Sequence, residues 1–476
     1  MPRAIAAALL LILAVSVPAS AYDRDAFYPA APVAEPVAGQ TPEQAQLQDL
    51  AFFRQYLDLE LAYAPAARAE AARGLDAIAA RGGTLSPAEF QLALMRVVAL
   101  ARNGHSRLIR GMNADGKPFP RLPFLAMRFA EGYCITRAMD PVRDLAGACI
   151  TAIDGMPMKE VAARLRDTSG DNDEHFAAEL RTLLSLPDFL RAAGIATRAD
   201  SVEIAIARNG VAEKRIVTPL PGEVFGADWT VLPIMPKPAV VADDTWSSLL
   251  KAGDQLPLYL RHPGQWFVAE PLENGRGYYV QLKQNTNVGD AMIGDFLLEA
   301  FARIRQLTPE YVVVDVRFNS GGDLTTTGKT LATLPGLLAP DGRIYVLTNG
   351  GTFSAAITSA NILKQAGGNR TRLIGEHPGD AQRFWAEGSR LCLPNSKACA
   401  QFTRGLHDYT RSCAGEAGCY YTVLARDVPQ LGLIPLAVNS LTPDVPVPFT
   451  FADYVAGKDL AMEAVAAEEA RRKARR

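Results

Sequence analysis

Two short stretches of this chain hold residue types able to attack a carbonyl. "YVLTNGGTFSAAITSANIL" runs from an apolar segment through a glycine turn into a helical pattern, and Ser354 falls where that helix begins. A hydroxyl there sees the positive end of the helix dipole and free backbone N–H groups. "VVVDVRFNSGGDLTTTGKT" also follows a buried-strand pattern and carries the glycine pair Gly321 and Gly322. Glycine lets the backbone approach a ligand and turn its N–H outward. An attacked carbonyl could set its oxygen between the amides of Gly322 and Ala355. One such donor is worth roughly 2.7–4 kcal/mol of transition-state stabilisation. The competing readings are a simple strand-to-helix turn and, for Ser354, a helix N-cap.

Gly328, Lys329 and Thr330 raise the possibility of a phosphate loop. That loop needs four residues between its first glycine and Gly-Lys-Ser/Thr, so that successive amides wrap the phosphates. Five separate Gly322 from Gly328. The extra residue turns the last amides away from a common centre, so Lys329 and Thr330 read as members of a helix starting near Leu324. The Gly-x-Ser-x-Gly elbow is also absent.

A nucleophilic serine needs a base. No lysine lies between Lys364 and Lys397, and Lys364 sits too far along the Ser354 helix to reach back. "LARNGHSRLI" offers His105, in a polar turn beside Gly104. Spacing alone does not join His105 to Ser354, and a histidine in a surface loop is the competing reading. The five histidines are too scattered for a zinc site, so neither a metal nor another cofactor is expected.

The elements that would position these groups follow from the rest of the chain. It has 476 residues, enough for two or three domains. Apolar residues make up 49% and charged residues 21%, as in globular proteins. A net charge of −2 gives no global basic field, so nucleic acid is not an expected partner. "MPRAIAAALLLILAVSVPASA" has an arginine near its start, an apolar centre and a small-x-small end. It reads as a secretory signal over residues 1–21, cleaved after Ala21, with an uncleaved anchor as the alternative. No second apolar span follows, so no membrane span is expected after cleavage, and the location is periplasmic or secreted. Six cysteines, an even count, agree with export. Proximity pairs Cys134 with Cys149, Cys392 with Cys399 and Cys413 with Cys419; buried free thiols are the alternative.

Residues 22–40 read as a Pro- and Ala-rich linker, and residues 41–116 as a helical region with three helical stretches. The third is apolar at Phe90, Leu94, Val97 and Val98 and runs straight into His105. Residues 117–221 are β-rich and end in a strand pair around Asn209-Gly210, a strong hairpin signal. Within them "GACITAIDGMPMKEVAARL" resembles a PDZ domain, whose groove takes an extended peptide by strand addition. A β-rich insert with no ligand is the alternative. Residues 222–264 read as a connecting segment. Residues 265–459 alternate strand and helix, which predicts a largely parallel sheet covered by helices. Residues 460–476 read as a solvated, charged helix whose basic end suits the helix dipole.

"NGHSRL", "GACITAIDGMP", "VVVDVRFNSGGD", "NGGTFSAAITSA", "LIGEHPGD" and "LTPDVPV" occur in that order. Together they resemble the tail-specific, or C-terminal processing, serine protease family. The likeness is to its lysine-free branch, which includes the tricorn core protease and the interphotoreceptor retinoid-binding proteins. The resemblance implies an α/β fold, with a ClpP/crotonase-like catalytic core, an N-terminal helical region and a PDZ-like β-rich domain. It implies Ser354 as nucleophile, His105 as base, and Gly322 and Ala355 as oxyanion donors. Asp315, Arg317, Asn319 and Gly321 complete the motif around Gly322 and shape its loop. Asn103 and Ser106 stand where the branch's histidine motif has Asp and Thr. The branch places a Glu shortly before its Pro-Asp, but "LAVNSLTPDV" has no acid before Asp444. Glu376 is therefore the first candidate to orient His105, and Glu387 the second. The expected function is an exported serine peptidase acting on peptide or protein substrates. The alternative is a non-catalytic binder of peptide or apolar ligand on the same fold.

Overall fold

The computed structural model describes residues 24–225, 234–236, 245–251, 255–420 and 436–475. The signal segment 1–21 and parts of the connecting segment 222–264 lie outside the described residues.

The N-terminal region contains the helices Pro42–Phe53, Pro65–Ala79 and Pro87–Ala99. Each opens on proline, whose missing N–H is one the first turn leaves unpaired anyway. Thr41 with Gln44, and Ser86 with Glu89, form reciprocal capping boxes. The expected stripe of Phe90, Leu94, Val97 and Val98 is buried. It packs the third helix into one hydrophobic core with the β-rich unit that follows.

After His105 comes β1 (Arg107–Ile109). An antiparallel sheet is then built from β2 (Phe124–Phe129), β3 (Gly132–Ala138), β4 (Cys149–Ile153), β5 (Met156–Pro157), β6 (Val202–Arg208) and β7 (Val211–Val217). Its order is β2-β3-β4-β6-β7, with β5 paired to β4 and β8 (Ser247–Ser248) to β3. Asn209 and Gly210 both take positive φ, +50° and +81°. That hand matches the strand twist and closes the β6–β7 hairpin. The helix Met158–Leu165 covers the sheet through Val161 and Leu165. Two helices unassigned from sequence, Asp173–Leu184 and Pro187–Ala192, bury Phe176, Leu180, Leu183, Phe189 and Leu190 in the same core.

The second large sheet holds β9 (Phe267–Leu272), β10 (Gly277–Leu282), β11 (Tyr311–Asp315), β12 (Arg343–Thr348) and β13 (Thr371–Gly375). Past β13 the chain makes two short antiparallel pairs. β14 (Arg383–Ala386) pairs with β17 (Gly405–Asp408), and β15 (Ser389–Cys392) with β16 (Cys399–Phe402). β16 also pairs with β1, so this excursion reaches back to the strand that follows His105. β18 (Val445–Pro446) then completes the order β18-β13-β12-β11-β10-β9. All neighbours are parallel except β9 and β10. This is the helix-covered, largely parallel core that the strand-helix alternation predicts.

Alternate strand residues face opposite sides. Val280, Val312, Val314, Val346 and Leu373 pack under the helices Ile293–Leu307 and Ala355–Gly367. Tyr279, Val313, Tyr345 and Ile374 pack on the other face against Ala461 and Val465 of the C-terminal helix Leu460–Ala474. That helix is therefore not simply solvated, as its charge suggests. Its Glu469 is 1% exposed, accepts a hydrogen bond from the Tyr345 hydroxyl at 2.8 Å and pairs with Arg472. A buried carboxylate satisfied in this way looks like surface charge in the sequence.

The disulfides join Cys134–Cys149, Cys392–Cys399 and Cys413–Cys419. The first two staple directly opposed residues of neighbouring strands. Among the described residues no helix is long and apolar enough to cross a membrane.

Candidate active site

Ser354 immediately precedes the helix Ala355–Gly367 with φ +54° and ψ −123°. A non-glycine residue holds this conformation at a cost of order 1–3 kcal/mol, and only when its surroundings impose it. The surroundings are visible. The Phe353 N–H donates to the Asn319 carbonyl at 3.0 Å. The Thr352 hydroxyl donates to the Val316 carbonyl at 2.8 Å. Asn349 Oδ1 accepts from the N–H groups of Phe318 and Gly351. The turn after β12 is thus stitched to the loop after β11. The Ser354 side chain makes no capping hydrogen bond, which removes the N-cap reading.

The glycine pair sits against this serine. Gly321 has φ +99° and Gly322 φ +141°. A Cβ on Gly321 would fall 2.5 Å from Ser354 Cβ and 2.9 Å from the Ala355 nitrogen, so glycine is required by conformation and by contact. Gly322 bridges to Asn285 in parallel fashion. The Asn285 N–H donates to the Gly321 carbonyl, and the Asp323 N–H to the Asn285 carbonyl. Gly322's own N–H therefore points away from that partner. Among the described hydrogen bonds the amides of Gly322 and Ala355 donate to nothing. Gly322 and Ser354 both line a cavity of about 1100 Å³.

Asn319 fixes the glycine loop. Its amide donates to the Leu282 carbonyl and to Asn285 Oδ1, both at 2.8 Å, and its oxygen accepts from the Gly321 N–H at 2.9 Å. Asp315 and Arg317 lie behind it as a buried anchor. Arg317 holds Asp315 on one side and Asp459, the N-cap of the C-terminal helix, on the other. The Tyr279 hydroxyl completes Asp315, and the Arg317 guanidinium lies over the Tyr259 ring. The two carboxylates hold Arg317 well above its ordinary pKa against the effect of burial.

His105 lines the same cavity as Ser354. It is buried, and neither ring nitrogen has a hydrogen-bond partner. Its flat faces are occupied. Phe353 stacks on one side at 4.5 Å between centroids, and Phe384 on the other at 5.2 Å. The column continues to His175 beyond Phe353 at 4.1 Å, and to His407 beyond Phe384 at 4.8 Å. Gly104 admits this packing, because a Cβ there would meet the Phe353 ring at 2.8 Å. Burial pushes the His105 imidazole well below its ordinary pKa, and Arg107, His407 and His175 add in the same direction. Asn103 donates to the Ser106 hydroxyl and accepts from the Trp385 N–H, tying the histidine turn to β14.

The carboxylate beside His105 is Asp380, with Oδ2 at 3.5 Å from Nδ1. Burial pushes this carboxyl well above the usual range. The first candidate from sequence, Glu376, lies elsewhere: its Oε1 accepts from the Phe449 N–H at 3.1 Å, and it forms no ion pair with His105. Both acids occupy the stretch after β13, and only the path of the chain separates them. Glu387, the second candidate, serves a different histidine and accepts from His407 Nε2 at 2.7 Å. Lys364 pairs with Asp444 at 3.0 Å, away from the serine. Asp380 was within reach of sequence as the next acid after Glu376; nothing in the pattern singled out Phe353.

No family model matches the chain, and no curated protein matches it. Solved structures do. A structure of mature CPAF complexed with lactacystin is 13% identical with a TM-score of 0.50, over 87% of this chain and 96% of that one. A serine-to-alanine mutant of CPAF is 14% identical with a TM-score of 0.51, over 87% and 95%. The tricorn protease is a looser likeness, 14% identical with a TM-score of 0.36, over 90% of this chain and 36% of that one. At such identities the likeness is one of architecture, and in architecture this chain has the fold of mature CPAF.

Proposed function

We propose that this chain is an exported serine peptidase with Ser354 as nucleophile. The observation that carries the reading is the Ser354 turn. A strained serine heads a helix, keeps its hydroxyl uncommitted, and stands beside two backbone amides with no internal partner. Strain of this kind persists where a side chain must be presented.

In the reaction His105 takes the proton from Ser354 Oγ as the oxygen attacks a peptide carbonyl. The amides of Gly322 and Ala355 receive the oxyanion. The imidazolium then protonates the leaving amine, and water clears the acyl-enzyme. Asp380 orients the ring and balances its charge. A carboxyl that resists ionising and an imidazole that resists protonation relieve one another once both are charged. The stacked state holds the imidazole away from any hydrogen bond, so the reactive state requires the ring to turn or slide against Phe353. Three disulfides favour an oxidising compartment, periplasmic or extracellular.

Fluorophosphonate labelling tests the assignment. Wild-type protein should label and Ser354→Ala should not; equal labelling of the two would reject it. The unpartnered state of His105 also supports a second reading, a binder on the same fold. That reading requires peptide binding without turnover, and Ser354-dependent cleavage in a peptide-library digest would eliminate it.

A further inference from the structure

The cavity holding Ser354 and His105 carries a lopsided set of charges. Arg107, Arg110, Arg121, Arg181, Lys283 and Arg390 line it, against two acids, Asp171 and Glu179. Glu179 pairs with Arg181 at 3.1 Å. Asp171 accepts from the Ser169 hydroxyl at 2.6 Å, and burial pushes its carboxyl up. The whole chain has a formal net charge of −2, so this excess of cations is local to the groove. A cleft lined by one sign of charge with low-dielectric walls concentrates ligands of the other sign.

Arg110 stands out within the set. It is half-buried, and among the described residues it has neither an ion pair nor a hydrogen bond. Burial draws its pKa down to about 10, with Glu179 pulling the other way, so the guanidinium stays charged while partly desolvated. A guanidinium in that state is suited to two parallel hydrogen bonds with a carboxylate. Arg110 lies five residues beyond His105, immediately after β1. At about 3.3 Å per extended residue the two positions are at most about 16 Å apart, no more than the span of about five residues of an extended peptide.

We propose that Arg110 is the carboxylate-binding residue of a substrate subsite, so that the groove selects peptides carrying a carboxylate within about five residues of the scissile bond. The carboxylate is either an acidic side chain or a free C-terminus. The proposal deepens the peptidase reading and rests on it for the word substrate, but its test does not require turnover.

The test measures binding of fluorescein-labelled ten-residue peptides to Ser354→Ala protein by anisotropy. One arm moves a single Glu through C-terminally amidated peptides and compares each with its Gln counterpart. The other compares free-acid with amidated ends on the Gln series. In one arm or the other the carboxylate should tighten binding about ten-fold, equivalent to about 1.4 kcal/mol. Salt at 0.5 M should erode the gain. The Glu arm identifies a side chain and the free-acid arm a chain end. Arg110→Gln should abolish the preference. Arg110→Glu should transfer it to a peptide with Lys in place of Glu, a gain that misfolding does not produce. Equal binding of all carboxylate and amide pairs, or a preference untouched by both variants, overturns the proposal. A carboxylate preference in a protein whose wild type resists fluorophosphonate would leave the subsite standing and remove the peptidase reading.

Discussion

The rings of His105 and Phe353 stack with centroids 4.5 Å apart, and Phe353 is the residue immediately before Ser354. The proposed nucleophile thus carries, one residue upstream, the side chain that occupies a face of its base. An aromatic stack is worth about 0.5–1.5 kcal/mol beyond its area.

Loss of that stack should release the imidazole. Phe353→Leu is expected to speed fluorophosphonate labelling of Ser354 by up to about ten-fold, the equivalent of about 1.4 kcal/mol. It should also lower the melting temperature, because a buried ring is replaced by a smaller side chain. Labelling at the wild-type rate or slower would show that the ring does not restrain His105.

Asp380 is expected to act through His105. Asp380→Asn should lower kcat for a peptide substrate by at least about 100-fold with little change in KM, since the buried charge partner of the imidazolium is lost. Glu376→Gln, which alters a carboxylate bonded to the Phe449 N–H, should stay within about three-fold. The reverse ranking in steady-state kinetics would return the orienting role to Glu376.

The acid limb of the pH profile follows from burial of His105. A histidine ordinarily titrates near about 6.5, and this one lies well below. The base stays unprotonated further into acid, so kcat/KM should begin to fall only below about pH 6.5. For stability the unfolded chain binds the extra proton in that window, so the His105 contribution is lost as pH drops below about 6.5. The raised carboxyl of Asp380 acts oppositely: its contribution is present in acid and lost as pH rises through its folded value. Titrating kcat/KM alongside melting temperature separates the two. An acid limb centred above 6.5 would contradict the burial of His105.

The Arg317 anchor should matter for stability and only indirectly for chemistry. Arg317→Ala leaves Asp315 and Asp459 buried without their cation. Removing one partner of such a pair costs about 3–5 kcal/mol. Urea unfolding should register a loss of that size, and a loss under about 1 kcal/mol would show the anchor to be dispensable.

The sequence carried the frame of this site better than its details. The near-continuous apolar runs of β10 to β12 and the Asn209-Gly210 turn announce local geometry, and the structure forms both. Ser354 and Gly321 were legible because a strand, a glycine turn and a helix leave few conformations open. Asp380 was not. Choosing between it and Glu376 depends on where the chain turns after β13, a tertiary fact that no periodicity encodes. Nor was Phe353: an aromatic before a serine looks like ordinary core until both histidines are placed beside it. The helix Leu460–Ala474 misled through composition, because Glu469 is satisfied by Tyr345 and Arg472 inside the fold.

His105 and Ser354 hang from different hydrophobic cores. The strand after His105 packs through Leu108 with the N-terminal helices and the antiparallel sheet, whereas the Ser354 helix packs over the parallel sheet. If Ser354 and His105 act together as proposed, reactivity is a property of the seam between these two cores more than of either alone.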